Sequence, residues 1–477
     1  MSAVIINGDT SGSVTLDAPA IAGSTIVRLP STSMNMGNGG GGVSTNTAFG
    51  SSALNANTTG INNTGIGFQA LGLVTTGAAN TGVGLNALYN NTASFNTAVG
   101  SSALQNNTSG TPNDAFGWTA LFSNTTGANN VALGNQTLYT NQTGSNNTAV
   151  GGGALYASTA SNNTAVGYTA LRFNTTGIEN VAVGTEALFN NTTAPYNVAI
   201  GHRALYTNTT GTRNTAVGYA PLRLNSTGTD NTSVGYGSLD RSTANFNTAV
   251  GSFALESNTT GTRNTAVGNA CGGPITTGSN NTLIGDQAGN GAFNLTTGTD
   301  NVLVGYRAST SGTGGVNQIV IGADFSGAGN NTVSLGKSAN YVYATFTSSA
   351  TWTRTSDARL KTNINDDTLG LNFITKLRPV TYQWKPSDEV PQELTDHYTE
   401  ENQMDTEVVM HGLLAQEVKA ALDEVGVNTF EGWSEQKDGA QAISREMFIT
   451  PLINAVKELK AELDNVKTEL ATLKGAA

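Results

Sequence analysis

Cysteine occurs once and histidine three times in the 477 residues, and only 12% of the side chains are charged. A single cysteine excludes a disulfide scaffold and a Cys-rich zinc site. His202, His397 and His411 stand far apart in no ligand-like spacing, so no metal or cofactor is expected. Positive charge is also scarce: 22 Lys and Arg against 33 Asp and Glu give a net charge of -11. That balance argues against a nucleic-acid partner held through its phosphates. No apolar run approaches the roughly 18 residues of a membrane helix, so no membrane insertion is expected. The start, Met1-Ser-Ala-Val-Ile-Ile-Asn-Gly-Asp, has neither the basic nor the apolar region of a secretory signal, and assembly in a cytoplasm is expected. The glycine run Asn38 to Gly42 lacks a following Lys-Ser or Lys-Thr, so it is no phosphate loop.

Glycine, by contrast, is abundant at 58 residues, and it is periodic. A glycine preceded by an apolar residue recurs from Gly50, Gly67, Gly84 and Gly100 through Gly285, at a spacing of 17 or 16, and less regularly at Gly305, Gly322 and Gly336. The unit reads Asn-Thr-Ala-Val-Gly-x-x-Ala-Leu-x-x-Asn-Thr-Thr-Gly-x-x. It holds two short strand candidates and two turns. Such a unit is too short for a strand-helix repeat, and its Asn, Thr and Gly content opposes helix, so each unit is expected to be one coil of a parallel β-solenoid. Eighteen coils stacked at ~4.8 Å would form a rod roughly 85 Å long.

Stacking turns positions into columns. Asn stands four residues before the marker glycine in sixteen of the eighteen coils, and is read as a structural amide ladder. Leu stands four residues after it in thirteen consecutive coils, Leu54 to Leu255, usually preceded by Ala. On a strand, Ala and Leu would point to opposite faces, so the pair implies a second buried face supplied by another chain, and a homotrimer is expected. Cys271 takes an Ala slot and is read as a small buried hydrophobe. Tyr89, Phe122, Tyr139, Tyr156, Phe189 and Tyr206 form an aromatic column, read as sealing a seam between chains, with sugar stacking as the alternative. His202 is read as exposed.

The charge pattern places a boundary near residue 350: residues 1 to 349 carry 9 basic and 11 acidic side chains, and the remainder 13 and 22. Four segments are expected: 1–45, an N-terminal cap or attachment segment with strand-turn-strand composition; 46–349, the solenoid; 350–447, a small α/β domain; and 448–477, a helix. In the last, Ile449, Leu452, Val456, Leu459, Leu463, Val466, Leu470 and Leu473 alternate spacings of three and four. This is a heptad seam, read as an oligomeric coiled coil rather than a helix packed on its own domain. Taken alone, Ser356 in Thr355-Ser-Asp-Ala-Arg-Leu-Lys361-Thr-Asn-Ile364 would be a helix N-cap, and Lys361 a solvated charge.

Two resemblances bear on these segments. The Asn-Thr-Ala-Val-Gly strand resembles the head repeats of trimeric autotransporter adhesins over residues 46 to 336; the period differs, so the likeness concerns fold. The Ser356 to Ile364 stretch, followed by Gly412-Leu-Leu-Ala-Gln-Glu-Val418 and Phe448-Ile-Thr-Pro-Leu-Ile-Asn-Ala-Val-Lys-Glu-Leu459, resembles the self-cleaving intramolecular chaperone domain that ends phage tail fibres and tailspikes. Residues 1 to 33 likewise resemble short N-terminal modules of tail-fibre proteins. The second resemblance implies that Ser356 and Lys361 form a cleavage dyad and that the chain is cut between Thr355 and Ser356. It also implies a homotrimeric, virion-borne fibre that meets other tail proteins at its N-terminus and binds a host-surface glycan or protein; Trp118, Tyr168 and Tyr219, aromatic residues at variable turn positions, are the candidate contacts. A fibre-borne polysaccharide depolymerase, which needs paired carboxylates, and a cellular surface adhesin are the alternatives.

Overall fold

The computed structural model describes residues 43, 45–338, 340–346, 349–354, 358–394, 397–398, 400–402 and 406–475. The strands expected within residues 1–33 and the glycine run lie outside the described residues. The chain divides into two units, residues 1–355 and 356–477, and each has its own apolar core.

The first unit is a β-solenoid. Eighteen short strands run from β1 (Thr47–Phe49) through β17 (Gln318–Ala323) to β18 (Thr332–Lys337), and each of the first seventeen pairs in parallel with the strand of the next coil. Register follows the repeat, so like meets like: Ala98 pairs with Ala115, and Ala115 with Ala132. After β18 the direction reverses, and β19 (Asn340–Thr345) and β20 (Ser349–Arg354) extend the sheet antiparallel.

Each full coil contains one strand rather than the two expected, and the reason lies in leucine. All thirteen leucines four residues past the marker glycine have φ between 48° and 55°, the left-handed region. Ala and Leu are therefore not neighbours on a strand, and alternation does not apply to them. Both turn into the same core of a single chain, where Leu88, Leu104 and Leu121 and their preceding alanines are wholly buried. The second chain inferred from this pair is thus not needed to bury it. A left-handed leucine costs on the order of 1–2 kcal/mol. Here it frees the leucine N–H to bond the next coil, as Leu88 does to the Ala103 carbonyl (3.0 Å) and Leu104 to that of Ala120 (2.9 Å).

The expected amide ladder is present. The Asn130 backbone N–H and Nδ2 both donate to Asn113 Oδ1 (each 3.0 Å), Nδ2 also donates to the Gly144 carbonyl (2.9 Å), and Asn147 N–H donates back to Asn130 Oδ1 (3.0 Å). A second ladder, which the reading of the sequence did not single out, runs through the Asn of Asn-Thr-Thr-Gly. There Asn107 Nδ2 donates to Asn91 Oδ1 and Asn124 Nδ2 to Asn107 Oδ1 (both 2.7 Å), and each also bonds the glycine carbonyl three residues on.

One column of apolar residues faces outward. The residue just before the marker glycine is exposed in the single chain at Phe49, Ile66, Phe116, Leu133, Ile200, Ile284 and Ile321, and half-buried in other coils such as those of Val99 and Val166, although it lies in the sheet.

The second unit combines α1 (Leu371–Ile374), α2 (Ala415–Glu424) and the 27-residue α3 (Ile449–Gly475) with two small hairpins. The hairpins are β21 (Val380–Tyr382) with β22 (Met410–Gly412), and β23 (Trp433–Glu435) with β24 (Gln441–Ile443). Leu369, Phe373, Val418, Ala421 and Leu422 form its core, with Phe430 and Phe448 set edge-on to each other, their ring centroids 5.2 Å apart. None of the described helices is long and apolar enough to cross a membrane.

Candidate functional site

The expected cleavage junction sits at the start of the second unit. Thr355 and Ser356 lie outside the described residues. Lys361 follows a single 3-10 turn, Ala358–Leu360, to whose first carbonyl its backbone N–H donates (3.1 Å). It lies at the surface of the single chain.

The other two sequence motifs converge on the segment just downstream. Gly412 to Val418 ends β22, opens α2 and buries Val418. The run from Phe448 opens α3, whose first turns bury Pro451 and Ala455. From that helix Asn454 Nδ2 donates to the carbonyls of Asp367 (3.0 Å) and Leu369 (3.1 Å), and Glu458 Oε2 accepts from Leu371 N–H (2.7 Å). Lys376 pairs with Glu424 (2.6 Å) and Arg378 with Glu417, tying α2 to the same segment; as exposed pairs these add little stability each. The heptad residues of α3, from Ile449 to Leu473, stay exposed along the whole helix. His411 lies on β22, and His397 Nε2 meets Gln436 Oε1 at 3.1 Å.

On the solenoid, the aromatic column is real but partly buried within one chain: Phe122, Tyr139 and Tyr156 stack at 5.3 and 5.2 Å, and Phe189 and Tyr206 at 5.3 Å. Arg172 fills the break between them, 4.9 Å from the Tyr156 ring. Trp118, Tyr168 and Tyr219 are exposed in another column, just after the glycine. His202 is half-buried in that column, stacked on Tyr219 at 5.0 Å.

Cys271 is wholly buried, and loss of solvation pushes its thiol up to about 12 from 9.0. The native protein is therefore expected to resist thiol reagents at neutral pH and to react once denatured. The raised value means that the stability tied to the neutral thiol is fully present below pH 9.0 and is lost as pH rises toward about 12. Comparing melting curves of the parent and Cys271→Ala over that window checks this. The variant should lose less, and equal losses would refute the assignment.

The chain matches no curated protein and no solved structure. Residues 356–427 match the family model described as chaperone of endosialidase. That match at the C-terminal unit and the β-solenoid ahead of it fit a phage tail fibre with a C-terminal chaperone.

Proposed function

We propose that the chain is a homotrimeric phage tail fibre that binds a host cell surface, and that residues 356–477 trimerise it and then release themselves by cleavage between Thr355 and Ser356. The observation that carries this reading is the match to the chaperone family, which begins at residue 356, where the chain also divides into its two units. A cut there would leave both apolar cores intact, since they share no residue.

The chemistry proposed has Ser356 and Lys361 as a dyad. Neutral Lys361 takes the Ser356 hydroxyl proton as the oxygen attacks the Thr355 carbonyl. The C–N bond breaks, the proton passes to the departing amine, and water opens the resulting ester to a Thr355 carboxylate and a free Ser356 hydroxyl. Because Lys361 is exposed in one chain, desolvation by neighbouring chains is what would make it a base. Cleavage would then report assembly.

A trimer is supported by two apolar surfaces that one chain leaves open, the outward column of the solenoid and the heptad face of α3. A chaperone answers a register problem, since a slip by one coil restores nearly every contact of such columns. Gathering three C-terminal helices fixes the starting register at high local concentration, and removing them afterwards leaves the assembled fibre kinetically trapped.

The test is the intact mass of the purified protein beside Ser356→Ala, with the oligomeric mass measured on both. We expect the parent to break after Thr355 and the variant to stay whole and trimeric. Two full-length trimers would make the domain a permanent cap, with Ser356 reduced to capping a turn.

A further inference from the structure

Within the regular part of the solenoid, two consecutive coils depart from the repeat at neighbouring positions. At the second residue after the marker glycine most coils carry a larger side chain, such as Gln69, Asn86, Thr119 or Gln136, whereas Ala220 and Gly237 leave that position nearly empty. At the fifth, where six earlier coils carry Tyr or Phe, three coils in a row carry Arg223, Asp240 and Glu256. The core changes in the same coil, with Ser233 and Ser238 bonded to each other (2.6 Å) where most coils carry alanines. The missing side chains open a cleft of about 260 Å³.

One wall of the cleft is aromatic. Tyr219 and Tyr236, each 50% exposed, stack at 5.1 Å with planes 8° apart, so their rings lie across the line of coils. Phe253, 39% exposed, breaks the stack at 72° to Tyr236 and turns its plane along that line. Gly237 permits this, because a Cβ there would lie 3.2 Å from the Phe253 ring. The opposite wall is polar and prearranged. Arg223 donates Nε and Nη2 to the two carboxylate oxygens of Asp240 (2.9 and 3.0 Å), which fixes both groups while leaving further donors and lone pairs. Glu256 makes no ion pair among the described residues. Arg203, at the far end, is held by Glu186 (2.6 Å).

We propose that this cleft binds a neutral pyranose, one unit of a larger saccharide. The Phe253 ring, turned out of the stack, suits the C–H face of a sugar, and paired donors and acceptors suit its neighbouring hydroxyls. The volume is below the ~300–1,000 Å³ of sites for larger ligands, which limits the occupant to a single ring. With Arg203 paired to Glu186 and Arg223 to Asp240, Glu256 leaves one carboxylate in excess, which disfavours an acidic sugar. The site gives an address and a ligand class to the surface binding proposed above, and it rests on that reading only for its biological setting.

Saturation-transfer NMR on the full-length protein tests it, with glucose, galactose, N-acetylglucosamine and N-acetylneuraminic acid as separate probes. Transfer is expected to at least one neutral sugar and not to the acidic one. Ala220→Gln should abolish it by filling the floor; Gln136 and Gln287 occupy the equivalent position at φ 56° and 55°, against 53° for Ala220, so the fold should tolerate the change. Tyr236→Ala should weaken binding about fivefold, while Phe95→Ala, at an exposed ring in a coil far along the chain, should leave it unchanged. Silence from all three neutral sugars, equal transfer to N-acetylneuraminic acid, or full signal in Ala220→Gln overturns the proposal. Oligomeric mass and cleavage, read on the same preparations, report the fibre reading separately.

Discussion

Gly184→Ala is expected to disrupt the solenoid around its coil, at a cost of at least about 4 kcal/mol, the range reserved for backbone-level damage. Gly184 has φ +130°, which a side chain rarely adopts, and an added Cβ would lie 2.6 Å from the Gly201 carbonyl oxygen and 2.7 Å from its carbon. These are backbone atoms of the next coil and cannot swing aside. The column of marker glycines thus sets how closely coils approach. In a stack where each coil touches only its neighbours, damage should be local. Hydrogen exchange should accelerate at strand amides of its own coil, Val181–Val183, and of the next, Val198–Ile200, and much less near β1. Thr185→Ala, at an exposed neighbouring position, serves as the control. Exchange in Gly184→Ala indistinguishable from that control would show that the glycine column does not govern the spacing.

Asn130→Ala should cost about 2–4 kcal/mol, a smaller loss by a different mechanism. The Gly144 carbonyl would keep a donor, because Asn141 Nδ2 also reaches it (2.9 Å). Asn147 would not be compensated: its backbone N–H and Nδ2 both donate to Asn130 Oδ1 (3.0 and 3.1 Å) and would be left buried without that acceptor. An exposed change such as Thr126→Ala should cost a few tenths of a kcal/mol at most. Chemical denaturation of the three proteins tests the ranking, and an Asn130→Ala curve overlying that of Thr126→Ala would mean that the ladder is decorative.

The solenoid was legible because its period is written in glycine and asparagine, residues whose backbone and amide chemistry dictate their positions. The turn at leucine was not. Left-handed backbone is disfavoured for a bulky side chain, so nothing in the sequence of Leu88 or Leu104 announces it; burial and an inter-coil hydrogen bond override the local preference. That one conformation changed the inference drawn from the Ala-Leu pair, from two faces and two chains to one core in one chain. The heptad run of α3 reads straight from spacing, since helical periodicity needs no tertiary context. Ser356 and Lys361 stand out as a proposed dyad only through the company of the two later motifs, which contribute to the same core in the second unit. The cleft beside Asp240 is defined by what Ala220 and Gly237 lack, and an empty position carries no motif.

The in-register pairing of identical residues has a consequence for how such a molecule can vary. Its coils meet through the same columns above and below, so a coil added or removed by recombination leaves the joint it creates nearly the same as the joint it replaces. Reach could therefore change in steps of about 4.8 Å with little new contact to invent. Coils with distinctive side chains would move along the axis as cassettes, provided that neighbours joined by a cross-coil pair travel together, as Arg223 with Asp240 and Arg213 with Asp230 must. Length and recognition would then be separately inheritable properties of one chain.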